Sequence, residues 1–380
     1  MPITLSTAFD AGNAELLASI APPLAGTPTL VRLDIRPDHG STHFQWFHFR
    51  LSGVRDQALE IRIENAGKSS YPEAWPDYRA AASTDRQTWF RLPTTYVDGV
   101  LTIRTTPSAD SLWVAYFAPY SLERHHDLIA RAVASGQVRH DVLGLSLDGH
   151  ELDRLVLGTG PRVLWLIARQ HPGESMASWW MEGLLERLLD PDDALSRELL
   201  SQATVHVVPH MNPDGAVRGH LRTNACGANL NREWATPSLE RSPEVKLVLD
   251  QMDHVGCDLC LDVHGDEALP YNFLSGAEGI PGWTARLHSL QEAFATAYVR
   301  ANPDLQREHG YPVDKFGEAN MTMCTSAVAQ RFDCLSYTLE MPFKDNAMAP
   351  DPVHGWSPAR CLRLGASCVD ALAAVVGELR

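Results

Sequence analysis

The stretch VLWLIARQHPGE at residues 163–174 joins a continuous apolar run to a group of polar residues. The run Val163–Ala168 predicts a strand that is buried on both faces, as strands of a parallel sheet are. Pro172 disfavours helical backbone geometry at the residue before it, so we expect His171 to lie in the turn after this strand. Glu174 is expected to open the next helix. Both side chains would then lie at the carboxyl end of a strand, where α/β sheets bind their ligands.

Strand-like and helix-like segments alternate from about residue 120 to the end of the chain. Strands are predicted over Thr204–Pro209, Leu259–Val263 and Leu335–Glu340, and helices over His125–Ser135, Glu174–Leu189, Pro243–Met252, Trp283–Arg300 and Pro358–Leu379. Alternation of this kind indicates an α/β layer fold.

Residues before about 120 show a different pattern, with short strands and frequent turns. Phe47–Leu51 and Leu59–Glu64 alternate between apolar and polar residues, which is the two-residue period of half-buried strands. Further short strands are predicted near Trp89–Leu92, Val100–Arg104 and Leu112–Phe117. This spacing favours a small antiparallel β-sandwich. We therefore divide the chain into an N-terminal domain, residues 1–120, and a second domain, residues 121–380.

Composition and charge exclude several classes of protein. Of 380 residues, 44% are hydrophobic and 21% are charged, which is typical of a globular chain and excludes a disordered one. The 32 basic and 47 acidic residues leave a net charge of −15; phosphate binding needs clustered cations, so we expect no nucleic acid partner. No apolar stretch approaches the length of a membrane span, so we expect no membrane partner. The N-terminus lacks the basic region of a signal peptide, and seven scattered cysteines suit a reducing compartment, so we expect a cytoplasmic protein.

Two histidines and a glutamate are candidates for a metal site. His171 and Glu174 offer an imidazole nitrogen and a carboxylate oxygen, and both of these suit zinc. His264 follows another predicted strand, and the glycine after it leaves the imidazole open to approach, so it is a candidate third ligand. Asp262 or Asp266 could orient a liganding histidine. Taken alone, each of these segments also fits a polar surface loop.

Polar residues in other motifs are suited to substrate chemistry. The charge of Arg222 could stabilise a developing oxyanion. The planar guanidinium of Arg232 and the amide of Asn231 suit a carboxylate. Glu340 ends an otherwise apolar strand, where burial penalises its charge unless a partner lies close, and a partly buried carboxylate of this kind suits a general base. The alternatives are a loop of solvated polar residues and an edge strand whose glutamate faces water.

The ordered set of motifs resembles that of a known enzyme family. HPGE (171–174), NPDG (212–215), NLNREW (229–234), DVHGD (262–266) and YTLE (337–340) resemble the motifs of zinc carboxypeptidases of the carboxypeptidase A clan, most closely the cytosolic carboxypeptidase branch. The first third is similar to that branch's β-sandwich domain through HFQWFHFRL (43–51), NAGKSSY (65–71) and YFAPY (116–120). The resemblance implies a mixed-sheet α/β/α domain after the sandwich, one zinc ion, and hydrolysis of the C-terminal bond of peptides or proteins.

The resemblance also implies roles for individual residues. The implied zinc ligands are His171, Glu174 and His264; the implied base is Glu340; the implied carbonyl-polarising arginine is Arg222, with Arg218 as the weaker candidate; and the implied carboxylate-binding pair is Asn231 and Arg232. For the mobile tyrosine that covers the substrate, Tyr311 is our candidate and Tyr271 competes with it. Arg331 is the candidate for a preference for acidic C-terminal residues, although its register departs from the family pattern.

Two other functions fit parts of the same residue set. One is a zinc amidohydrolase of small N-acyl amino acids, similar to aspartoacylases. The other is a non-catalytic binding protein on the same scaffold, against which the complete set of ligands and Glu340 argues. The preferred C-terminal side chain, with acidic residues weakly favoured, and the oligomeric state stay open.

Overall fold

The computed structural model describes residues 2–20 and 26–380. In its first third, short 3₁₀ turns at Ala66–Lys68 and Pro72–Ala74 accompany a series of strands. These strands are β1 (Thr4–Ser6), β2 (Glu15–Leu16), β3 (Thr29–Asp34), β4 (His48–Ser52), β5 (Leu59–Ile63), β6 (Ala81–Ser83), β7 (Phe90–Arg91), β8 (Thr94–Val97), β9 (Val100–Thr105) and β10 (Ser111–Ala115). They form two five-stranded sheets, in the orders β1-β4-β10-β6-β7 and β2-β3-β5-β9-β8.

The burial pattern of β5 explains why these sheets pack against each other. Leu59, Ile61 and Ile63 are buried, whereas Glu60 and Arg62 between them are half-buried and form an ion pair. Because successive side chains point to opposite faces of a sheet, the strand buries one face only. The predicted β-sandwich is confirmed, but its pairing is not wholly antiparallel. Between β3 and β5 the chain crosses to the other sheet as β4, and β3 and β5 therefore run parallel.

The rest of the chain forms a seven-stranded sheet with helices around it. The strands are β11 (Val138–Leu145), β12 (Glu151–Leu157), β13 (Arg162–Ala168), β14 (Ala203–Val208), β15 (Leu259–Val263), β16 (Phe273–Ser275) and β17 (Leu335–Glu340). The helices are α1 (Leu122–Ala134), α2 (Met176–Leu188), α3 (Ala194–Gln202), α4 (Pro213–Arg218), α5 (Pro243–Val255), α6 (Ala285–Ala301), α7 (Cys324–Phe332) and α8 (Pro358–Val375), with 3₁₀ turns at Leu230–Arg232 and Val376–Glu378. The strand order is β11-β12-β14-β13-β15-β17-β16.

This sheet is mixed, as predicted. The central strands β14, β13, β15 and β17 run parallel, and the outer strands pair antiparallel. In β13, Leu164 and Leu166 face a core shared with α2 and α8, whereas Trp165 and Ile167 face a second core shared with α5 and α7. Alternate side chains of one strand therefore fill both cores. This is why the apolar run is uninterrupted.

Two local features differ from the sequence-based expectation. Glu174 does not open a helix: α2 begins at Met176, and the Glu174 amide donates to the His171 carbonyl at 3.2 Å in the preceding turn. That turn keeps the Glu174 side chain beside the His171 ring. The sequence does not predict the hairpin of β11 and β12, because β11 lies at a sheet edge and its sequence VRHDVLGL is neither a continuous apolar run nor a strict alternation.

The sandwich packs directly on the α/β part. The Tyr116 ring stacks on Phe343 with centroids 4.3 Å apart. The Asp10 carboxylate accepts a hydrogen bond from the Leu122 amide at 2.6 Å, at the start of α1. Residues of both parts share one hydrophobic core. All seven cysteines carry free thiols, and within the described ranges no helix is both long and apolar enough to cross a bilayer.

Candidate active site

Three neighbouring parallel strands bring the candidate residues together. His171 follows β13 by three residues, His264 follows β15 directly, and Glu340 is the last residue of β17. Because these strands are adjacent and parallel, their carboxyl ends meet at one edge of the sheet. The predicted convergence of residues far apart in the chain is therefore what the topology produces.

The side chains of His171, Glu174 and His264 form a compact buried cluster. Their potential ligand atoms lie within 4.8 Å of one another. Glu174 Oε1 lies 2.7 Å from His171 Nδ1, and its Oε2 lies 2.8 Å from His264 Nδ1. Burial, with the nearby charge of Arg222, lowers the pKa of His171 to about 3, so its imidazole is neutral, as a metal ligand must be.

The second nitrogen of each histidine is held by an oxygen acceptor. His171 Nε2 lies 3.0 Å from Asn229 Oδ1, and His264 Nε2 lies 2.8 Å from Asp262 Oδ2. These contacts direct both Nδ1 atoms inward, where they face each other at 3.2 Å. Two inward imidazole nitrogens beside a carboxylate are a donor set that suits zinc, and acceptors behind the imidazoles are typical of metal sites. The residues present thus fit a zinc ion.

A cavity of about 310 Å³ opens over this cluster. Its lining includes His171, Glu174, Arg222, Asn231, Arg232, Tyr311 and Glu340, all of which were predicted, and Asp266, which was a candidate for orienting a liganding histidine. It also includes Tyr71, Glu73, Gly265, Glu267, Ala268 and Met323, which were not predicted as site residues. Wider surface grooves of about 740 and 730 Å³ contain none of the candidate residues. The convergence of polar groups, rather than size, therefore identifies this cavity.

Glu340 is 7% exposed, and its Oε2 has no hydrogen-bond partner among the described residues. Its Oε1 accepts a hydrogen bond from the Tyr311 hydroxyl at 3.3 Å. Burial raises the pKa of Glu340 well above its usual value; the negative charge of Glu174 adds to this, and His264 opposes it. A divalent cation in the cluster would offset much of this effect. The free oxygen is well suited to exchange a proton inside the cavity.

Two arginines lie side by side in the cavity without carboxylate partners. Within residues 2–20 and 26–380, neither Arg222 nor Arg232 forms an ion pair. Burial, and after it the charge of Arg222, lowers the pKa of Arg232. Two nearby cations that no carboxylate contacts within ion-pair distance, in the described ranges, form a site for a ligand anion. Asn231 lies between this pair and α7, and its Oδ1 accepts from the Cys324 amide at 2.8 Å.

Only one of the two tyrosine candidates, Tyr311, lines the cavity. The Tyr311 hydroxyl donates to Asp266 Oδ2 at 2.6 Å at the cavity wall, and the residue as a whole is 43% exposed. Tyr271 stacks on His309 and does not line the cavity. Tyr311 therefore combines a position at the site with a largely exposed backbone segment.

Two arginine candidates lie elsewhere. Arg331, on α7, donates twice to the Asp253 carboxylate at 2.6 Å, and its side chain is 52% exposed. Arg218 donates to Asp148 at 2.7 Å. Neither residue lines the cavity. Both are paired at the surface, so their guanidinium groups are occupied.

Sequence reasoning missed site residues from both parts of the chain. Tyr71 and Glu73 come from the sandwich, where the motif NAGKSSY identifies the domain but does not by itself indicate a site residue. Glu267 stands three residues after His264, a spacing that repeats that of His171 and Glu174. Burial raises the pKa of Glu267 to about 8, with Glu174 and Asp266 adding to the effect and Arg222 opposing it.

Comparison with known proteins accounts for both parts of the chain. Residues 5–117 match the family model of the cytosolic carboxypeptidase N-terminal domain. Residues 130–355 match the family model of the zinc carboxypeptidases.

Solved structures resemble the whole chain. A metallo-carboxypeptidase from Pseudomonas aeruginosa, in complex with (2-guanidinoethylmercapto)succinic acid, is 44% identical with a TM-score of 0.95, over 99% of this chain and 100% of that one. A metallo-carboxypeptidase from Burkholderia cenocepacia is 43% identical with a TM-score of 0.95 and the same coverage.

Related sequences extend to eukaryotes. An uncharacterised protein of Zymomonas mobilis is 50% identical over 379 residues, which are 100% of this chain and 98% of that protein. Cytosolic carboxypeptidase 4 of Mus musculus is 28% identical over 302 residues, which are 65% of this chain and 26% of the mouse protein. The zinc carboxypeptidase match alone covers more than half of the chain. The chain therefore belongs to the zinc carboxypeptidase family and is a metallocarboxypeptidase, a hydrolase of peptide bonds.

Proposed function

We propose that the cavity hydrolyses the C-terminal bond of peptides or proteins with one zinc ion, held by His171, Glu174 and His264. The observation that carries this proposal is the convergence of the three ligand atoms within 4.8 Å, next to the free Oε2 of Glu340. When bound, zinc supplies positive charge for a carbonyl oxygen and lowers the pKa of a water molecule. Side chains of the protein are proposed to carry out proton transfer, stabilisation of the oxyanion and binding of the substrate.

Glu340 is the proposed general base and acid. Its unpartnered oxygen takes a proton from the attacking water and passes it to the nitrogen of the leaving residue. Support comes from its position at the end of β17, beside the ligand cluster, and from burial that raises its pKa. A carboxylate with a raised pKa holds a proton long enough to deliver it.

Arg222 is the proposed partner of the oxyanion that develops on the scissile carbonyl. A fixed cation aimed at developing charge contributes more in a water-poor cavity than in bulk water. The guanidinium lies 5.5 Å from the centre of the Tyr71 ring and has no carboxylate partner of its own among the described residues. Its charge is therefore available to a substrate.

Arg232 and Asn231 are proposed to bind the substrate's terminal carboxylate. The unpaired Arg232 supports this role, because it offers a planar set of donors that matches a carboxylate. The succinic acid ligand of the Pseudomonas aeruginosa enzyme also carries carboxylates. Selection of a free chain end would limit cleavage to the last peptide bond and place that bond over the ligand cluster. We propose Tyr311 as the residue that covers the bound end.

The proposal concerns peptides with a free C-terminus and leaves their last side chain open. A preference for acidic residues rests on Arg331, and the pairing of Arg331 with Asp253 at the surface does not support it. We also propose the domain division at about residue 120, supported by the two family models, and a cytoplasmic location, supported by the free cysteines.

A combined metal and substrate assay tests the function. The purified protein is analysed for zinc and incubated with a library of peptides that vary at the C-terminal residue, with mass spectrometry of the products. We expect about one zinc ion per chain and removal of single C-terminal residues from free acids but not from C-terminal amides. Turnover of N-acyl amino acids in place of peptides, or no turnover of either class, would overturn the proposal.

A further inference from the structure

A residue of the sandwich holds the backbone that carries Arg222. The carboxylate of Asp38 accepts four hydrogen bonds from the segment Leu221–Thr223. Its Oδ1 accepts from the Leu221 amide at 2.7 Å, and its Oδ2 accepts from the amides of Arg222 and Thr223 at 2.8 and 2.9 Å. The Thr223 hydroxyl donates the fourth, at 3.0 Å. One side chain thus fixes three consecutive backbone amides.

Because Asp38 is buried, its negative charge costs free energy unless hydrogen bonds satisfy both carboxylate oxygens. Asp38 is 2% exposed, and no ion pair to it is found in the described part of the chain. A buried carboxylate without a cation is tolerated only when neutral donors satisfy it. The four donors all come from the segment around Arg222, which is 183 to 185 residues away in the sequence. The carboxylate and the segment therefore determine each other's position.

Further contacts join the loop around Asp38 to the segment around Arg222. The His39 amide donates to His220 Nε2 at 3.0 Å, and His220 Nδ1 in turn contacts the Thr223 carbonyl at 3.0 Å. Gly40 has a φ of +70°, and a Cβ atom there would lie 3.0 Å from the Cys226 carbonyl oxygen. The loops meet backbone to backbone, which leaves little room for the Arg222 segment to shift.

The side chain of Arg222 has few anchors of its own. Within residues 2–20 and 26–380, its guanidinium makes no hydrogen bond and no ion pair. It lies 5.5 Å from the centre of the Tyr71 ring, which also belongs to the sandwich, and lines the same cavity as Glu267. By contrast, Arg124 and Arg154 are held by carboxylates. The direction of the Arg222 side chain therefore depends on its backbone, on Tyr71 and on the longer-range attraction of the Glu267 carboxylate.

From this geometry we infer that Asp38 is a positioning residue for Arg222 and that the N-terminal sandwich is a working part of the active site. Asp38 touches no reacting atom. It holds the Arg222 backbone so that the guanidinium stays directed at the place where the oxyanion of the scissile carbonyl would develop. Displacement of a preorganised donor by a fraction of an ångström weakens this stabilisation. The inference rests on the proposed peptidase function and on the proposed role of Arg222.

The test is a double-mutant cycle on the full chain with zinc bound. Asp38→Asn keeps the shape of the side chain but replaces one acceptor oxygen with a donor that faces a backbone amide, whichever way the amide group is turned. The single variants Asp38→Asn and Arg222→Ala, and the double variant, are assayed on one peptide substrate. Asp85→Asn is the matched control, because Asp85 accepts from the Gln87 and Thr88 amides in an exposed turn of the sandwich.

The expected pattern is strongly non-additive. We expect Asp38→Asn to lower kcat about 10- to 100-fold, with KM changed less than about threefold, because the residues proposed to bind the carboxylate are untouched. In the Arg222→Ala background the same change should lower kcat less than about threefold, since the group it positions is gone. Asp85→Asn should leave kcat unchanged.

Three outcomes separate the possibilities. Asp38→Asn could lower kcat by the same factor in the wild-type and Arg222→Ala proteins, and lower the amount of folded or zinc-loaded protein equally in both. That result would mean a purely structural role for Asp38 and would overturn the inference. Unchanged kcat in Asp38→Asn would overturn it as well. An inactive wild-type protein would instead overturn the proposed function. If Asp38→Asn fails to fold, Thr223→Val removes only the hydroxyl contact, and the same cycle with Arg222→Ala decides between the two roles.

Discussion

The carboxylate of Asp262 lies 2.8 Å from Nε2 of His264, and both side chains are buried. The contact keeps a proton on Nε2 and turns Nδ1 toward Glu174 and His171. Burial opposes protonation of His264, but the carboxylates of Asp262 and Glu174 raise its pKa well above its usual value. If His264 holds zinc as proposed, the metal would take the place of the second proton, and the charge of Asp262 would make the imidazole a stronger ligand.

Substitution of Asp262 is therefore expected to weaken zinc binding. Asp262→Asn keeps a side-chain oxygen but loses the charge behind the imidazole, so we expect a dissociation constant for zinc about 10- to 100-fold higher. Competition with a chelator measures it. Asp253→Asn, which affects only the surface pair with Arg331, is the control. An unchanged constant for Asp262→Asn would show that the contact is not part of the metal site.

Glu340→Gln is expected to abolish most turnover while it preserves the metal site. An amide cannot take up the proton of the attacking water, and a positioned general base contributes about 10²- to 10⁴-fold. We expect a loss of kcat in this range, with unchanged zinc content. Glu151→Gln, on the exposed end of β12, serves as the comparison and should retain full activity. Residual activity of Glu340→Gln near the wild-type level would assign the proton transfer to another group.

The hydroxyl of Tyr311 is expected to contribute to binding rather than to chemistry. Tyr311→Phe loses the hydrogen bonds to Asp266 and Glu340 but keeps the ring over the cavity. We expect the hydroxyl to make one hydrogen bond to the bound chain end, worth about 1 kcal/mol, so its loss should raise KM about fivefold with kcat within about twofold. Steady-state kinetics measures both, and Tyr271→Phe should change neither. A large fall in kcat for Tyr311→Phe alone would assign the hydroxyl to the reaction itself.

Substitutions of Arg232 and of Arg331 can be compared to test how the enzyme recognises the chain end of its substrate. Arg232→Gln leaves a substrate carboxylate without its charged partner, and loss of a charged hydrogen bond costs about 1.5–3 kcal/mol, so KM should rise about 10- to 100-fold. Arg331→Gln should leave KM unchanged for acidic and neutral C-terminal residues alike. If Arg331→Gln selectively raised KM for acidic residues, the specificity argument from its surface position would be wrong.

Acid is expected to destabilise the fold partly through His48 in the sandwich. Burial, and to a lesser extent the charge of Arg86, lowers its pKa from 6.5 to about 3, and its ring nitrogens have no partner among the described residues. Below about pH 6.5 the unfolded chain binds a proton that the folded chain does not, so the free energy of unfolding falls as the pH falls toward 3. At about pH 5 this amounts to about 2 kcal/mol.

Denaturant unfolding at about pH 7.5 and about pH 5 measures this loss. Between these two conditions, His48→Phe should lose about 2 kcal/mol less than the wild-type protein. His126→Phe, on the exposed side of α1, should behave as the wild type does. Equal pH dependence in all three proteins would exclude His48 as a source of acid sensitivity.

Much of the fold followed from local sequence patterns. The apolar run Val163–Ala168 predicted a strand with two buried faces, because a strand between two helical layers has no side left for water. The alternation in Leu59–Glu64 predicted a strand of the sandwich, because a strand with one face toward water and one toward the core alternates polar and apolar residues. The hairpin of β11 and β12 was missed, because the edge strand β11 mixes apolar, polar and charged residues and carries neither pattern.

Arg331 shows where linear spacing misleads. It stands a few residues before Glu340 in the sequence, but α7 ends between them and turns its side chain to Asp253 on the surface. Asp38 shows the reverse, since nothing in its neighbourhood in the chain links it to Arg222. Both outcomes depend on packing between elements, which no local pattern encodes.

The fold class, the family resemblance and the candidates His171, Glu174, His264 and Glu340 could be predicted from local patterns, because these residues stand at or just after the ends of strands whose apolar runs are visible in the chain. Only the folded chain shows which arginines share the cavity and that the sandwich reaches it through Tyr71, Glu73 and the contact of Asp38 with the Arg222 segment. Strand burial is a property of consecutive residues and can therefore be predicted locally. The direction of a buried charge is set by partners nearly two hundred residues away, which meet it only in the folded chain.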